Sequence, residues 1–274
     1  MESIASAVQR LLPTMHSARE TDEYEEKKLN TYNNSHGNMS GYECAVCKNR
    51  GGIGVITDEG YFAVRNCVCM ATRATLKNIE RSGLKDLMER YTFDNWQSPK
   101  DWQKMIYDRA KSFMEDTGFD SKGRFFFIGG QPGSGKTHIC TAMVAEMLNK
   151  GLSARYCVWD RESKHIKAVV NDDEEYSRAI NPLLKVKVLY IDDFLKVKSG
   201  AQPTDADVKL SFEIVNYRYN AGLMTIISTE FSPDELLDID EAMGSRIIER
   251  AGQYALYIGK NRDKNWRLRG VSNG

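Results

Sequence analysis

Gly130-Gln131-Pro132-Gly133-Ser134-Gly135-Lys136-Thr137 is the stretch on which the fold turns. It fits the pattern G-x-x-x-x-G-K-[ST] at every position, with the apolar run RFFFIGG leading in and KTHICTAMVAEMLN leading out. The first run reads as a buried strand and the second as a helix. Glycines let a loop curl until successive N–H groups face phosphate oxygens, and the helix N-terminus adds partial positive charge. Lys136 is expected to reach the β and γ phosphates of a nucleotide, and the Thr137 hydroxyl to ligate Mg²⁺.

Outward from this loop, short apolar runs alternate with helical segments. ARYCVWD (154–160), VKVLYIDDF (186–194), LMTIISTE (223–230) and QYALYIG (253–259) read as strands, and 161–183, 205–221 and 241–251 as helices. The pattern predicts an α/β fold: a parallel sheet covered by helices on both faces. Ligands bind at the carboxyl ends of such strands. Asp192 is therefore the second expected Mg²⁺ ligand, and Asp193 the carboxylate that polarises an attacking water. Many ATPases carry Glu at that position, one methylene longer. Ser228 and Thr229 end a strand expected beside that of Asp192, where they would meet the water or the γ-phosphate. Arg246 and Arg250 lie four apart on one helix face. Arg246 is the candidate to project onto the nucleotide of a neighbouring subunit.

The 274 residues balance 38 Lys+Arg against 38 Asp+Glu, which excludes a uniformly basic nucleic-acid coat and an acidic tail protein. No apolar run reaches the roughly 18 residues of a membrane span, and the N-terminus lacks the pattern of a signal peptide, so a cytoplasmic protein is expected. Ile4, Val8, Leu11 and Leu12 are spaced as a short amphipathic helix. The charged run 20–28 and the loop-like TYNNSHGNMSG follow.

Cys44 and Cys47 form a C-x-x-C pair, and Cys67 and Cys69 a C-x-C pair. Between them GGIGVITDEGYFAVRN reads as a β-hairpin turning at Asp58, Glu59 and Gly60. Four thiolates joined by a short hairpin suit tetrahedral Zn²⁺, with an iron–sulfur cluster or unligated thiols as alternatives. Cys140 and Cys157 stand among apolar residues and read as core. We place a domain boundary near residue 90, giving an N-terminal region 1–90 with the cysteine module at about 42–70, and a nucleotide-binding domain 91–274. Ser98 and Pro99 mark a helix start early in the second.

YECAVCKNRGG with RNCVC, GGQPGSGKTH, VLYIDDF, TIISTEFSPDELL and GSRIIERAG together resemble the DnaC/DnaI-type replicative helicase loaders, phage and prophage versions especially, over roughly residues 42–270. The resemblance implies an AAA+ P-loop ATPase that binds ATP and single-stranded DNA and engages the hexameric replicative helicase through its N-terminal region. It puts Lys136 and Thr137 on Walker A together with the flanking His138, Asp192 and Asp193 on Walker B, Ser228/Thr229 on sensor 1 and Arg246 on the arginine finger of an ATP-dependent oligomer. Sensor 1 is often Asn, and here it is Ser-Thr. The stretch after the last strand is too short for the helical lid of most AAA+ proteins, and Arg267 is a sensor 2 candidate. Lys196, Lys198, Lys209, Lys260, Arg262, Lys264, Arg267 and Arg269 are candidates for DNA contact. An IstB-type transposition helper, sharing the same core, and an adaptor that binds ATP without hydrolysing it are the competing functions.

Overall fold

The computed structural model describes residues 22–82, 85–116, 123–150, 152–198 and 201–268. The expected helix of Ile4 to Leu12 and the candidate Arg269 fall outside them. The chain divides into two compact units between Arg73 and Ala74. Sequence alone puts the boundary near 90. The difference arises because Leu87 and Met88 pack against the large core of the second unit.

In the first unit, helix α1 covers residues 22–34, so the expected loop starts later than its Asn-rich composition suggests. Asn33 explains the extension. Its side chain donates to the Gly54 carbonyl (3.1 Å) and accepts from the Gly54 N–H (2.9 Å), stapling the helix to a strand. That strand, β1 (Gly52–Ile56), pairs antiparallel with β2 (Phe62–Asn66), and Gly60 takes a positive φ in the turn between them. The hairpin is the one expected.

Helix α2 (Cys69–Ser82) leads into the second unit, followed by α3 (Lys85–Arg90) and α4 (Asp101–Asp116). Helix α4 begins after Ser98 and Pro99, with the Lys100 carbonyl accepting its first intrahelical hydrogen bonds, from the N–H groups of Gln103 and Lys104. Then come β3 (Phe125–Gly130), α5 (Lys136–Asn149), β4 (Ala154–Val158), α6 (Trp159–Ala168), α7 (Asp173–Lys185), β5 (Val188–Asp192), α8 (Asp205–Asn220), β6 (Met224–Ser228), α9 (Pro233–Ile239), α10 (Glu241–Ala251) and β7 (Ala255–Ile258). The strands form one sheet of order β4-β5-β6-β3-β7, parallel at every pairing.

Strand residues alternate between two cores, as a period of two requires. Phe126, Ile128, Tyr190 and Ile226 face α4 and α5. Phe125, Phe127, Leu189, Ile191 and Ile227 face the other way, toward α6, α7, α8 and α10. Cys140 belongs to the first core and Cys157 to the second, both fully buried. The single helix expected over 161–183 is two, since Asp172 caps α7 through the N–H groups of Glu174 and Glu175. Helix α9 is not among the expected elements, although Ser232 and Glu235 form a reciprocal capping box with Pro233 at the first position.

Arg218 on α8 is completely buried and clamps the sheet from below. Its guanidinium donates to the carbonyls of Leu183 (2.8 Å), Leu184 (3.1 Å) and Val186 (2.9 Å) at the end of α7, and to Thr225 Oγ1 (2.9 Å) and the Met224 carbonyl (2.5 Å) on β6. A cation there also meets the negative end of the α7 dipole. Replacing it leaves several buried carbonyls without donors. Arg218→Met should therefore lower stability by about 3 kcal/mol or more, read as a fall in the urea midpoint, with Arg218→Lys losing less. An unchanged midpoint would show the clamp to be energetically idle.

Candidate functional site

The phosphate loop follows β3 directly. Gly130 has φ +101°, and a Cβ there would stand 2.1 Å from the Ile258 carbonyl oxygen of β7. Gly133 is equally constrained, since a Cβ would meet Asn265 Oδ1 at 2.0 Å. Within the loop Ser134 Oγ donates to the Gln131 carbonyl (2.7 Å), and Gln131 Oε1 accepts the Asn261 N–H (2.8 Å). The Trp266 N–H donates to the Gly133 carbonyl (2.9 Å), so the segment carrying Arg267 lies along the loop. Helix α5 starts from Gly135 with no side-chain cap, which leaves its first N–H groups for an anion. Pro132 is exposed at the tip of the loop.

Lys136 is buried, and its ammonium donates to the carbonyls of Gly130 and Gln131, both at 2.8 Å. Burial pulls its pKa below the ordinary lysine value, while Glu230, Asp193 and Asp192, in that order, oppose the shift. His138 packs against the connector instead of the loop. Its ring stacks on Tyr91 (4.8 Å), meets Trp96 edge-on (5.2 Å), and holds Nε2 2.9 Å from the Thr92 carbonyl.

Asp192 ends β5 almost fully buried. Its Oδ1 accepts hydrogen bonds from Thr137 Oγ1 (3.2 Å) and from Ser228 Oγ, and its Oδ2 accepts one from the Tyr156 hydroxyl (2.9 Å). Burial, reinforced by the Asp192 charge, raises the Tyr156 phenol far above its usual pKa, so it remains a donor. A carboxylate and a hydroxyl meeting beside a phosphate loop fit Mg²⁺, which takes one or two protein oxygens and completes its shell with phosphate and water. Thr137 and Asp192 are the residues that would hold it.

Strand β6 lies beside β5, as expected, and brings Ser228 to Asp192. Thr229 differs from expectation: its hydroxyl donates to the Phe194 carbonyl (2.8 Å), because the chain after β5 turns back beneath it. Asp193 stands in that turn with φ +53°. Its carboxylate pairs with Lys196 (2.8 Å), and the same ammonium reaches Glu230 (3.3 Å). Lys196, a candidate for DNA contact, is thus engaged at the site. Lys260 is paired with Glu235 (3.4 Å). Arg246 lies on α10, with Nη1 on the Ala242 carbonyl (2.6 Å) and its guanidinium 5.5 Å and 5.6 Å from the rings of Phe212 and Tyr219. Arg250 covers Tyr219 more closely, at 4.4 Å. Tyr156, Lys196 and Glu230 were not read from sequence as parts of the site. Only the adjacency of β4, β5 and β6 brings them there.

In the first unit the sulfurs of Cys44, Cys47, Cys67 and Cys69 all lie within 4.8 Å of one another. Cys44 and Cys67 are 3.8 Å apart, and Cys47 and Cys69 3.5 Å. Tetrahedral zinc with Zn–S near 2.3 Å places sulfurs about 3.8 Å apart, so the donor set fits Zn²⁺. Lys48 and Asn49 adopt positive φ in the knuckle, and Asn49 Oδ1 accepts the Cys44 N–H (2.9 Å) and an Arg73 donor (2.9 Å). Burial raises the Cys69 thiol to about 12. Against a burial effect of the same sign, the Gly51 N–H and the neighbouring thiols bring Cys47 down to about 6. No helix among the described residues is long and apolar enough to cross a membrane.

The IstB-like ATP binding protein family matches residues 71–269, a span that begins after the last cysteine of the cluster. The uncharacterized protein YqaM of Bacillus subtilis is 31% identical over 211 residues, 74% of this chain and 66% of that protein, just under two thirds of its length. The phage-like element PBSX protein XkdC of the same organism is 28% identical over 242 residues, 85% of this chain and 88% of that protein. The replicative helicase loader DnaC of Escherichia coli K12 is 26% identical over 176 residues, 64% of this chain and 68% of that protein. Among solved structures, a DnaC helicase loader superposes with TM-score 0.54 at 21% identity, covering 64% of this chain and 98% of that one. DnaI superposes with TM-score 0.51 at 19% identity, over 64% and 93%. These likenesses show the AAA+ fold.

The cysteine cluster yields a direct expectation. Tag-free protein should carry one Zn²⁺ per chain by elemental analysis, and Cys47→Ser should lose it. The first unit should lose order with the metal, because so small a hairpin unit has little apolar core of its own. Protein with neither zinc nor iron would contradict the assignment.

Proposed function

The chain belongs to the IstB-like ATP binding protein family, and we propose that it is an ATP-dependent replication protein that binds the hexameric replicative helicase and loads it onto single-stranded DNA. The observation that carries the ATPase part is the convergence of Thr137, Asp192 and Ser228 beside the phosphate loop. The likeness to the DnaC helicase loader supports the loader part.

Lys136 binds the β and γ phosphates and offsets their charge, aided by the N–H groups of Gly133 to Thr137. Thr137 and Asp192 hold Mg²⁺, which when bound neutralises charge on the transferred phosphoryl group. Tyr156 and Ser228 fix the Asp192 carboxylate so that it meets the ion without rearranging. Asp193 follows at the strand end, its carboxylate paired with Lys196 beside the site. The cysteine-bearing unit takes the helicase, and nucleotide state sets the contacts between loader subunits.

Arg246 is assigned the trans-acting finger of that assembly. Helix α10 presents it over two aromatic rings of α8, from which a long side chain can extend to an adjacent subunit. A mixture tests this. Lys136→Ala subunits keep their finger and Arg246→Ala subunits keep their phosphate loop, so mixing two inactive proteins should restore part of the turnover. Co-assembled mixtures that stay inactive would make Arg246 an internal packing residue.

For the partner, immobilised full-length chain should retain a cognate replicative helicase, and single-stranded DNA should stimulate its ATP turnover. Retention of a transposase and not a helicase would favour the transposition helper, the second reading suggested by the family itself. ATP binding without turnover under any of these conditions would favour the adaptor.

A further inference from the structure

We propose that Glu230, the residue after the Ser228-Thr229 pair, is the general base of ATP hydrolysis, held in place by Lys196. The inference rests on the ATPase reading and adds a catalytic group to it.

Topology sets the position. Strand β6 runs between β5, which carries Asp192, and β3, which enters the phosphate loop. The Thr229 N–H still bonds to the Ile128 carbonyl (3.1 Å), so residue 230 leaves the sheet between the carboxylates and the loop. There its charge acts on the Lys136 ammonium more strongly than that of Asp193 or Asp192. Its side chain is 38% exposed, open enough for water to reach.

Asp193 is less suited to the task. It sits in a tight left-handed turn, with the Phe194 N–H on the Ser228 carbonyl (2.8 Å), and its carboxylate folds back onto Lys196 three residues on. It is also one methylene shorter than the Glu common at this position. Glu230 supplies the longer carboxylate from the neighbouring strand, and Lys196 bridges the two at 2.8 and 3.3 Å. The pair with the short acid thus steadies the long one.

In the step itself, the water oxygen bonds to the γ-phosphorus while the bond to the β–γ bridging oxygen breaks. That oxygen leaves with the bonding pair as part of ADP. The water proton passes to the Glu230 carboxylate, and from there to solvent.

The test compares Glu230→Gln with Asp193→Asn in the full chain, reading steady-state ATP turnover and equilibrium binding of a fluorescent ATP analogue with Mg²⁺. Glu230→Gln should lower kcat by about 100-fold or more and keep analogue affinity close to wild type, whereas Asp193→Asn should lose less than Glu230→Gln. If Glu230→Gln loses binding, Glu230→Asp carries the test: it keeps the charge and should still lose about tenfold in kcat. Turnover near wild type in the Glu230 variant, or a larger loss at Asp193, overturns the proposal. A wild-type chain that binds the analogue but never turns ATP over also overturns it, leaving the Lys136 site intact. Failure of the wild type to bind the analogue overturns the ATPase reading beneath both.

Discussion

Asp192 is a carboxylate at the end of a buried strand, and three hydroxyls from three different elements hold it there. Thr137 comes from α5, Tyr156 from β4 and Ser228 from β6. A buried charge is costly unless its lone pairs are satisfied. The site can exist only if β4, β5, β6 and the start of α5 converge at one edge of the sheet. The parallel order of the strands, the two apolar faces and the Arg218 clamp under β6 all serve that convergence. The geometry is set by the protein's own hydroxyls, so an arriving nucleotide and metal meet oriented groups.

The two units reach order by different physics. The second buries aromatic and branched side chains on both faces of a five-stranded sheet. The first has a two-stranded hairpin, helix α1, the start of α2 and a buried cluster made of four cysteines with Tyr42 and Ile53 packed against it. The cysteine cluster takes the place of an apolar core there, and Lys48 and Asn49 adopt positive φ values just after the first cysteine pair.

Much of this was legible from residues. The phosphate loop, its flanking strand and helix, the carboxylates at the end of β5 and the hairpin between cysteine pairs are short-range patterns with one physical solution each. What stayed hidden depends on register across the sheet. Tyr156 looks like one more aromatic in an alternating strand until β4 pairs with β5 and points its hydroxyl at Asp192. Glu230 reads as a polar strand ending, and Lys196 as a candidate for DNA contact, until the turn after β5 brings Lys196 to Glu230. Thr229 and Ser228 are equivalent on paper, yet the pleat sends one to the backbone and the other to the site. His138 follows the phosphate-loop motif directly, yet its ring packs on the connector at Tyr91 and Trp96.

The central claim is that the loop around Lys136 binds a nucleoside triphosphate with Mg²⁺. Calorimetric titration of ATP·Mg²⁺ into the full chain and into Lys136→Ala tests it most directly. The account predicts one site per wild-type chain. It predicts affinity at least about tenfold weaker in the variant, since a charge-assisted contact to phosphate is removed, in a chain that still folds. A folded Lys136→Ala protein that binds ATP as tightly as the wild type would contradict it.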